Sequence, residues 1–225
     1  MGPDLGIVRA REEEDVVVGE ELVRHRFTSR VIHWSVAVFM LATLFTGLPI
    51  WTPIFGWMAY LFGGLSVCRW LHPWLGICFF VTSAVMFVHW FKEMLLEQRE
   101  RDWLGPKMFT YLTYQGEDPE VGKYNGGQKI LFFAAAIGAL ALLLSGIVLW
   151  FPLSFPQLLR EASWVVHDLA FILFTIMIIG HIYLGTAAEP GTFRAMTRGT
   201  VTKQWARLHH PRWYREVTGE ESRRR

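Results

Sequence analysis

The sequence predicts an all-α membrane protein, a four-transmembrane-helix bundle with both termini in the cytoplasm. Three observations carry this. Hydrophobic residues make up 52% of the 225, and aromatic residues 15%. Four long blocks carry no charge: Val31 to Cys68, Trp70 to Phe91, Ile130 to Leu159, and Ala162 to Ala188 with the sole exception of Asp168. Each is long enough to cross a hydrocarbon layer about 30 Å thick. The 22 Lys and Arg side chains are also distributed unevenly. Five precede the first block, six lie between Lys92 and Lys129, nine follow the last block, and Arg69 and Arg160 are left alone on the other side. Positive residues collect on the cytoplasmic face, which places both termini and the central loop there.

In chain order, residues 1–30 read as a cytoplasmic N-terminal tail. The tail is acidic and has neither the short apolar core nor the cleavage site of a signal peptide, so it is expected to persist as a solvated segment. Transmembrane helices are expected at about 31–52, 71–94, 129–151 and 164–187, within one membrane domain over 31–187. These segments are apolar nearly all round, whereas a helix of a soluble bundle would show an apolar stripe against polar faces. Residues 188–225 form a basic cytoplasmic tail, and its charge marks membrane orientation before nucleic acid. The localisation that follows is multi-pass in a membrane.

Several chemistries are excluded. Cys68 and Cys78 form no CxxC or CxxCH pattern, against a covalently attached c-type haem, a zinc knuckle or a cluster site, and they read as packing residues. A Gly-rich phosphate loop, an HExxH motif and a plausible Ser/His/Asp set are all missing, so neither hydrolysis nor nucleotide binding is indicated.

Histidines within the spans carry the chemistry. His167 and His181 stand 14 residues apart on the fourth helix. That spacing brings them within about 40° of one face, with a rise of about 21 Å, near opposite sides of the membrane. In a bundle that starts inside, His33 at the start of helix 1 is level with His181 at the end of helix 4. His72 at the start of helix 2 is level with His167 on the outer side. Two pairs at two depths, each from two helices, match bis-imidazole ligation of two b-type haems, an outer one on His72/His167 and an inner one on His33/His181. An iron saturated in this way passes single electrons rather than binding oxygen. The bland alternative is an interhelical hydrogen bond without metal, set against the rarity of ionisable groups in spans. Gly76, one turn after His72, and Gly47 and Gly146 on helices 1 and 3 fit a core that must admit a porphyrin, although close helix packing would also account for any one of them. His89, beside Lys92 and Glu93, competes as an inner ligand but is better read at the interface. His25, His209 and His210 lie outside the spans and read as surface or interface residues.

The series RVIHWS, RWLHPWLG, VGKYNGGQK, the His167/His181 helix and the tail KQWARLHHPRWYREV resembles the gamma subunit, a cytochrome b, of respiratory formate dehydrogenase. The likeness runs over roughly residues 24–217, in order and at matching spacing. It implies the same haem pairs, His72 with His167 and His33 with His181, and leaves His89 without a counterpart ligand. It further implies a menaquinone pocket at the cytoplasmic interface, with Asn125 and Gly127 near the ring oxygens, Gln128 adding a polar contact, and His181 serving both iron and quinone. Composition alone would read VGKYNGGQK as a Gly-containing loop that starts a helix. The implied partners are an iron–sulfur beta subunit and a molybdenum or tungsten catalytic alpha subunit, since this chain holds ligands for neither cofactor. The implied location is a bacterial cytoplasmic (inner) membrane. The acidic N-terminal extension and the AAEPG stretch depart from the family pattern.

Asp168 is expected to play a structural part, facing a partner or the outer interface or pairing with Arg160 or Arg69; tuning of the outer haem is the sharper alternative. The function implied is that of a membrane-anchoring dihaem cytochrome b that passes electrons from a periplasmic iron–sulfur subunit to menaquinone. The chain itself has no formate-oxidising site. Two other readings stay open: the cytochrome b of a nickel–iron hydrogenase or sulfur-compound reductase, and a haem-free anchor or transporter whose histidines relay protons.

Overall fold

The computed structural model describes residues 5–98 and 120–220. A short helix α1 (Leu5–Arg9) and two strands, β1 (Val16–Val18) and β2 (Glu21–Val23), lead into four long helices. These are α2 (Phe27–Trp51), α3 (Leu65–Trp90), α4 (Gly126–Trp150) and α5 (Gln157–Tyr183), the last running on through a π turn at Leu184–Ala188. All four are long and apolar enough to cross a membrane. After them come α6 (Phe193–Thr197), β3 (Thr200–Thr202), α7 (Lys203–His209) and α8 (Pro211–Thr218).

All four long helices start earlier than the uncharged windows predict, α3 and α5 by the most. A 3-10 helix, Pro53–Phe62, follows α2 and ends where Gly63 and Gly64 adopt φ of 91° and 114°. The left-handed region suits residues without a Cβ, so the break falls at this glycine pair and α3 begins well before residue 71. Helix α5 begins directly after Pro156 and carries Arg160 and Glu161 in its first turns. Absence of charge marks the lipid-facing length of a helix, and the helix itself extends into the interface.

The chain divides into two compact units. One comprises Ile32–His89 and Phe133–Ile179, which is most of the four long helices. Its core is a cluster of Phe79, Ala139 and Phe174 joined by Val36, Phe39 and Met40 of α2 and Met177 and Ile178 of α5, so all four helices meet there. Phe79 and Phe174 pack edge to face with centroids 5.6 Å apart, a favoured aromatic geometry. Gly138 lets Phe174 approach, since a Cβ at that position would lie 2.8 Å from its ring. Hydroxyls in the spans are satisfied locally: Thr43 donates to Phe39 O at 2.7 Å, Thr46 to Ala42 O at 2.8 Å, and Ser145 to Ala141 O at 2.6 Å, as lipid requires of every polar group.

The other unit comprises Met1–Val31, Trp90–Phe132 and Gly180–Arg225. Here the N-terminal segment is not the solvated tail that its acidity suggests. Strands β1, β2 and β3 form an antiparallel sheet in which Leu22 pairs with Val201, tying the two ends of the chain together. Leu22 and Val201 then bury against Trp205, Ala206, Trp213 and Tyr214. Arg24 lies over the rings of Trp205, Trp213 and Tyr124, with its guanidinium 5.0, 5.3 and 5.7 Å from their centroids, so cation–π attraction helps a buried arginine to be tolerated. Gly199, at φ 86°, is required: a Cβ there would lie 2.6 Å from the carbonyl of His25. The acidic residues misled because the apolar alternation around Leu22 is only three residues long and its partner strand lies far away in sequence.

Candidate functional site

Helices α3 and α5 bring His72 and His167 together, with ring centroids 6.3 Å apart. Two imidazoles on opposite sides of one metal ion, each nitrogen about 2 Å from it, would put their centroids about 6 Å apart. The same two side chains line an apolar cavity of about 590 Å³, within the usual size range of cofactor pockets. Its wall is built by all four helices, with Gly76 on α3 adding open space where a side chain would intrude. Phe79 and Phe174 also line it.

The second nitrogen of each ring is held. His72 Nδ1 lies 3.1 Å from the carbonyl of Thr43, which can only accept, so Nδ1 carries the proton and donates. His167 Nδ1 lies 2.9 Å from Ser145 Oγ. That hydroxyl gives its own proton to Ala141 O, so it accepts from His167 Nδ1–H. Thr46, whose hydroxyl proton goes to Ala42 O, stands 3.4 Å from His72 Nδ1. Both imidazoles are thereby set in the tautomer whose Nε2 bears the free lone pair, the arrangement that orients a metal-ligating histidine. The donor set, the tautomers and the cavity fit a bis-imidazole haem.

Thr43 and Ser145 are functional residues that the sequence reading missed. The signal was present: each is a polar residue in an apolar span, one turn or one residue from a singled-out glycine. Those glycines also stand against the histidine rings. A Cβ on Gly47 would lie 2.8 Å from His72 Cε1 and 3.1 Å from its Nδ1, and one on Gly146 would lie 3.4 Å from His167 Cε1. They admit the imidazoles, and both also line the cavity. Asp168, expected to face a partner or the outer interface or to pair with Arg160 or Arg69, with tuning of the outer haem as the sharper alternative, lines the cavity together with Arg69.

Of the remaining predicted residues, His33 is half-buried on α2 and packs edge to face on Trp34 at 5.4 Å. His181 is half-buried in the last turn of α5. His33 belongs to the unit of the long helices and His181 to the unit of the chain ends. His89 is half-buried in the last turn of α3. His25 and His210, expected as surface or interface residues, are each only 2% exposed, whereas His209 pairs with Glu189 of the AAEPG stretch at 3.0 Å.

Asn125 and Gln128 form a reciprocal cap at the start of α4. Gln128 N–H donates to Asn125 Oδ1 at 2.9 Å, and Asn125 N–H donates to Gln128 Oε1 at 3.0 Å. This satisfies two orphan donors of the helix end. It also commits the oxygens of both amides. Among the described residues the NH2 of Gln128 makes no hydrogen bond. Gly127, against which only Asn125 Oδ1 stands, at 3.4 Å from a notional Cβ, keeps that turn open.

Residues 24–199 match the family model described as prokaryotic cytochrome b561. The chain is 31% identical over 206 residues to the nitrate-inducible formate dehydrogenase cytochrome b556(Fdn) subunit of Escherichia coli K12, covering 90% of this chain and 94% of the relative. It is 32% identical over 201 residues to the formate dehydrogenase cytochrome b556(fdo) subunit of the same organism, covering 88% and 94%. A formate dehydrogenase cytochrome b556 subunit of Haemophilus influenzae is 32% identical, over 87% of this chain and 83% of its own length. With four membrane-length helices and a histidine pair suited to haem b, the chain belongs to the prokaryotic cytochrome b561 family, alongside the cytochrome b556 subunits of formate dehydrogenases.

Proposed function

We propose that this chain is the membrane-anchoring dihaem cytochrome b subunit of a respiratory formate dehydrogenase, linking an iron–sulfur subunit on the outer face of the cytoplasmic membrane to menaquinone near the inner face. The observation that carries the reading is the His72/His167 pair in its apolar cavity, each ring held through Nδ1. When bound, haem b supplies a one-electron carrier that exchanges electrons without binding substrate. His72 and His167 hold the outer haem, with Thr43 and Ser145 fixing their rings. His33 and His181 hold the inner one, an assignment that rests on the alternating directions of the helices. Both termini face the cytoplasm, as the distribution of Lys and Arg requires.

Asn125, Gly127 and Gln128, with His181, form the quinone pocket. The Gln128 amide offers an NH2 donor to a quinone carbonyl, and a prenylated ring seeks an apolar site with few polar groups. Reduction to the quinol takes two electrons and two protons, and protons drawn from the cytoplasm make the electron crossing electrogenic. Formate oxidation belongs to a molybdenum or tungsten alpha subunit, and the beta subunit carries the electrons to this chain.

The test is a reduced-minus-oxidised spectrum with pyridine haemochrome quantification on the purified chain and on His72→Ala and His181→Ala. Two b haems per chain, each variant losing a different one, is the expected result. A chain without haem would sink the reading in favour of an anchor or transporter. Assaying the native complex for formate against hydrogen oxidation separates the formate enzyme from a hydrogenase.

A further inference from the structure

Three successive carbonyls in the loop before α4 are each taken by a different donor from the chain ends. Val121 O accepts from Arg212 N–H at 3.0 Å, Gly122 O from His210 Nδ1–H at 2.6 Å, and Lys123 O from Arg24 Nη2. The side chain that follows is held as firmly. Lys123 Nζ reaches Glu14 Oε2 at 2.9 Å and Asp15 Oδ2 at 3.0 Å, with Glu93 Oε2 at 3.8 Å. Glu14 turns its other oxygen to the N–H of Arg26 at 2.9 Å and to the hydroxyl of Ser29. Next along the chain, the Tyr124 ring stacks on His25 with centroids 6.1 Å apart. Asn125 then opens α4 with its reciprocal cap.

Asp15 joins the two ends of this assembly. Its Oδ1 accepts from Trp213 Nε1–H at 2.7 Å, while its Oδ2 takes Lys123. It does so at φ 57°, the only positive φ of a non-glycine residue among those described. A side chain held in that region needs surroundings that over-determine it, and such residues cluster at functional sites. Here the N–H of Asp15 is tied to Val23 O at 2.8 Å, which sets the turn ahead of the sheet.

We infer that Glu14 and Asp15 of the acidic N-terminal segment, with the His210–Trp213 turn, clamp the loop 121–125 and so position the quinone-binding amides of Asn125 and Gln128. The inference rests on the quinone reading proposed above. VGKYNGGQK, HHPRWYRE and the acidic extension, three separate features of the sequence, become one device, with Lys123 as its central tie. Glu14 and Asp15 are positioning residues: they touch the loop and act through it.

The experiment uses the whole complex in membranes. Lys123→Met, Glu14→Gln, their double variant, the conservative Lys123→Arg, and Asn125→Ala as reference are compared. A soluble short-chain menaquinone analogue serves as acceptor, and hydrogen–deuterium exchange is followed over residues 121–128. Lys123→Met is expected to raise KM for the analogue about tenfold with kcat and haem content kept, and to speed exchange in the loop. Lys123→Arg restores both. The double variant is no worse than Lys123→Met alone, because both substitutions remove the same tie. Unchanged exchange in Lys123→Met overturns the clamp. Faster exchange with unchanged KM, while Asn125→Ala does raise KM, overturns the link to quinone positioning. A KM unmoved in Asn125→Ala as well overturns the quinone placement, and with it this inference.

Discussion

Replacing Gly47 by Ala separates a requirement of the haem site from a requirement of the fold. Gly47 is helical and its φ is ordinary, so on propensity alone the exchange should stabilise α2 by about 1 kcal/mol. The added Cβ, however, would lie 2.8 Å from His72 Cε1, about 0.6 Å short of ordinary contact. The His72 ring must retreat from α2 by that amount. Its anchor, Thr43 O, is on α2 too, so the 3.1 Å bond from Nδ1–H stretches out of hydrogen-bond range. Metal–ligand distances tolerate only about 0.2 Å, and loss of such a supporting bond typically weakens metal binding about 10–100-fold, or about 1.4–2.8 kcal/mol. Gly146 is the internal control: its notional Cβ would stand 3.4 Å from His167 Cε1, an ordinary contact. The assay is haem per chain by pyridine haemochrome, with a redox titration of the retained haem. Gly47→Ala should lose or shift the outer haem while the chain stays folded, and Gly146→Ala should resemble the parent. Full haem with an unchanged titration in Gly47→Ala, or equal damage in Gly146→Ala, would refute the reasoning.

Further outcomes follow from the same geometry. Ser145→Ala removes the acceptor of His167 Nδ1–H, a bond that joins α4 to α5, so outer-haem affinity should fall about 10–100-fold; competition with a haem scavenger measures it. Gln128→Glu keeps the oxygen that caps Asn125 N–H but deletes the NH2 donor, so KM for a quinone analogue should rise with helix content intact, while an unchanged KM removes Gln128 from the pocket. His210 supplies a pH dependence. Burial, with the Arg24 guanidinium adding to it, holds this imidazole well below its ordinary value against the opposing pull of the Gly122 carbonyl. The unfolded chain therefore takes up a proton near pH 6.5 that the folded unit refuses. Stability should fall as pH drops below about 6.5, by up to about 1.4 kcal/mol per pH unit, and His210→Gln should flatten that slope in urea unfolding followed from pH 7.5 to 5.5.

A good part of the molecule was legible in one dimension. Membrane-length helices follow from uncharged length alone, because lipid leaves the backbone no partner but itself, and all four expected spans are found with their starts moved toward the N-terminus and their last residues one to four positions early. His72 and His167 were identifiable as a pair because an ionisable group in a span is costly enough to demand a purpose, and alternating helix direction says which two are level. What the sequence could not show was how the rings are held. The carbonyl of Thr43, the Ser145 hydroxyl and the small faces of Gly47 and Gly146 act across helices, and backbone and hydroxyl groups carry no signature of the partner they will meet. Asp168 was likewise turned toward the cavity by the rotation of α5, which an apolar helix leaves undetermined by pattern. The chain ends show the same limit more sharply. Acidic residues beside a three-residue strand read as solvated tail, yet Glu14 and Asp15 are matched to Lys123, more than a hundred residues away, and Leu22 to Val201 at the other end of the chain. Local composition determines which segments leave water; long-range pairing, decided only when the chain closes on itself, determines where their polar groups point.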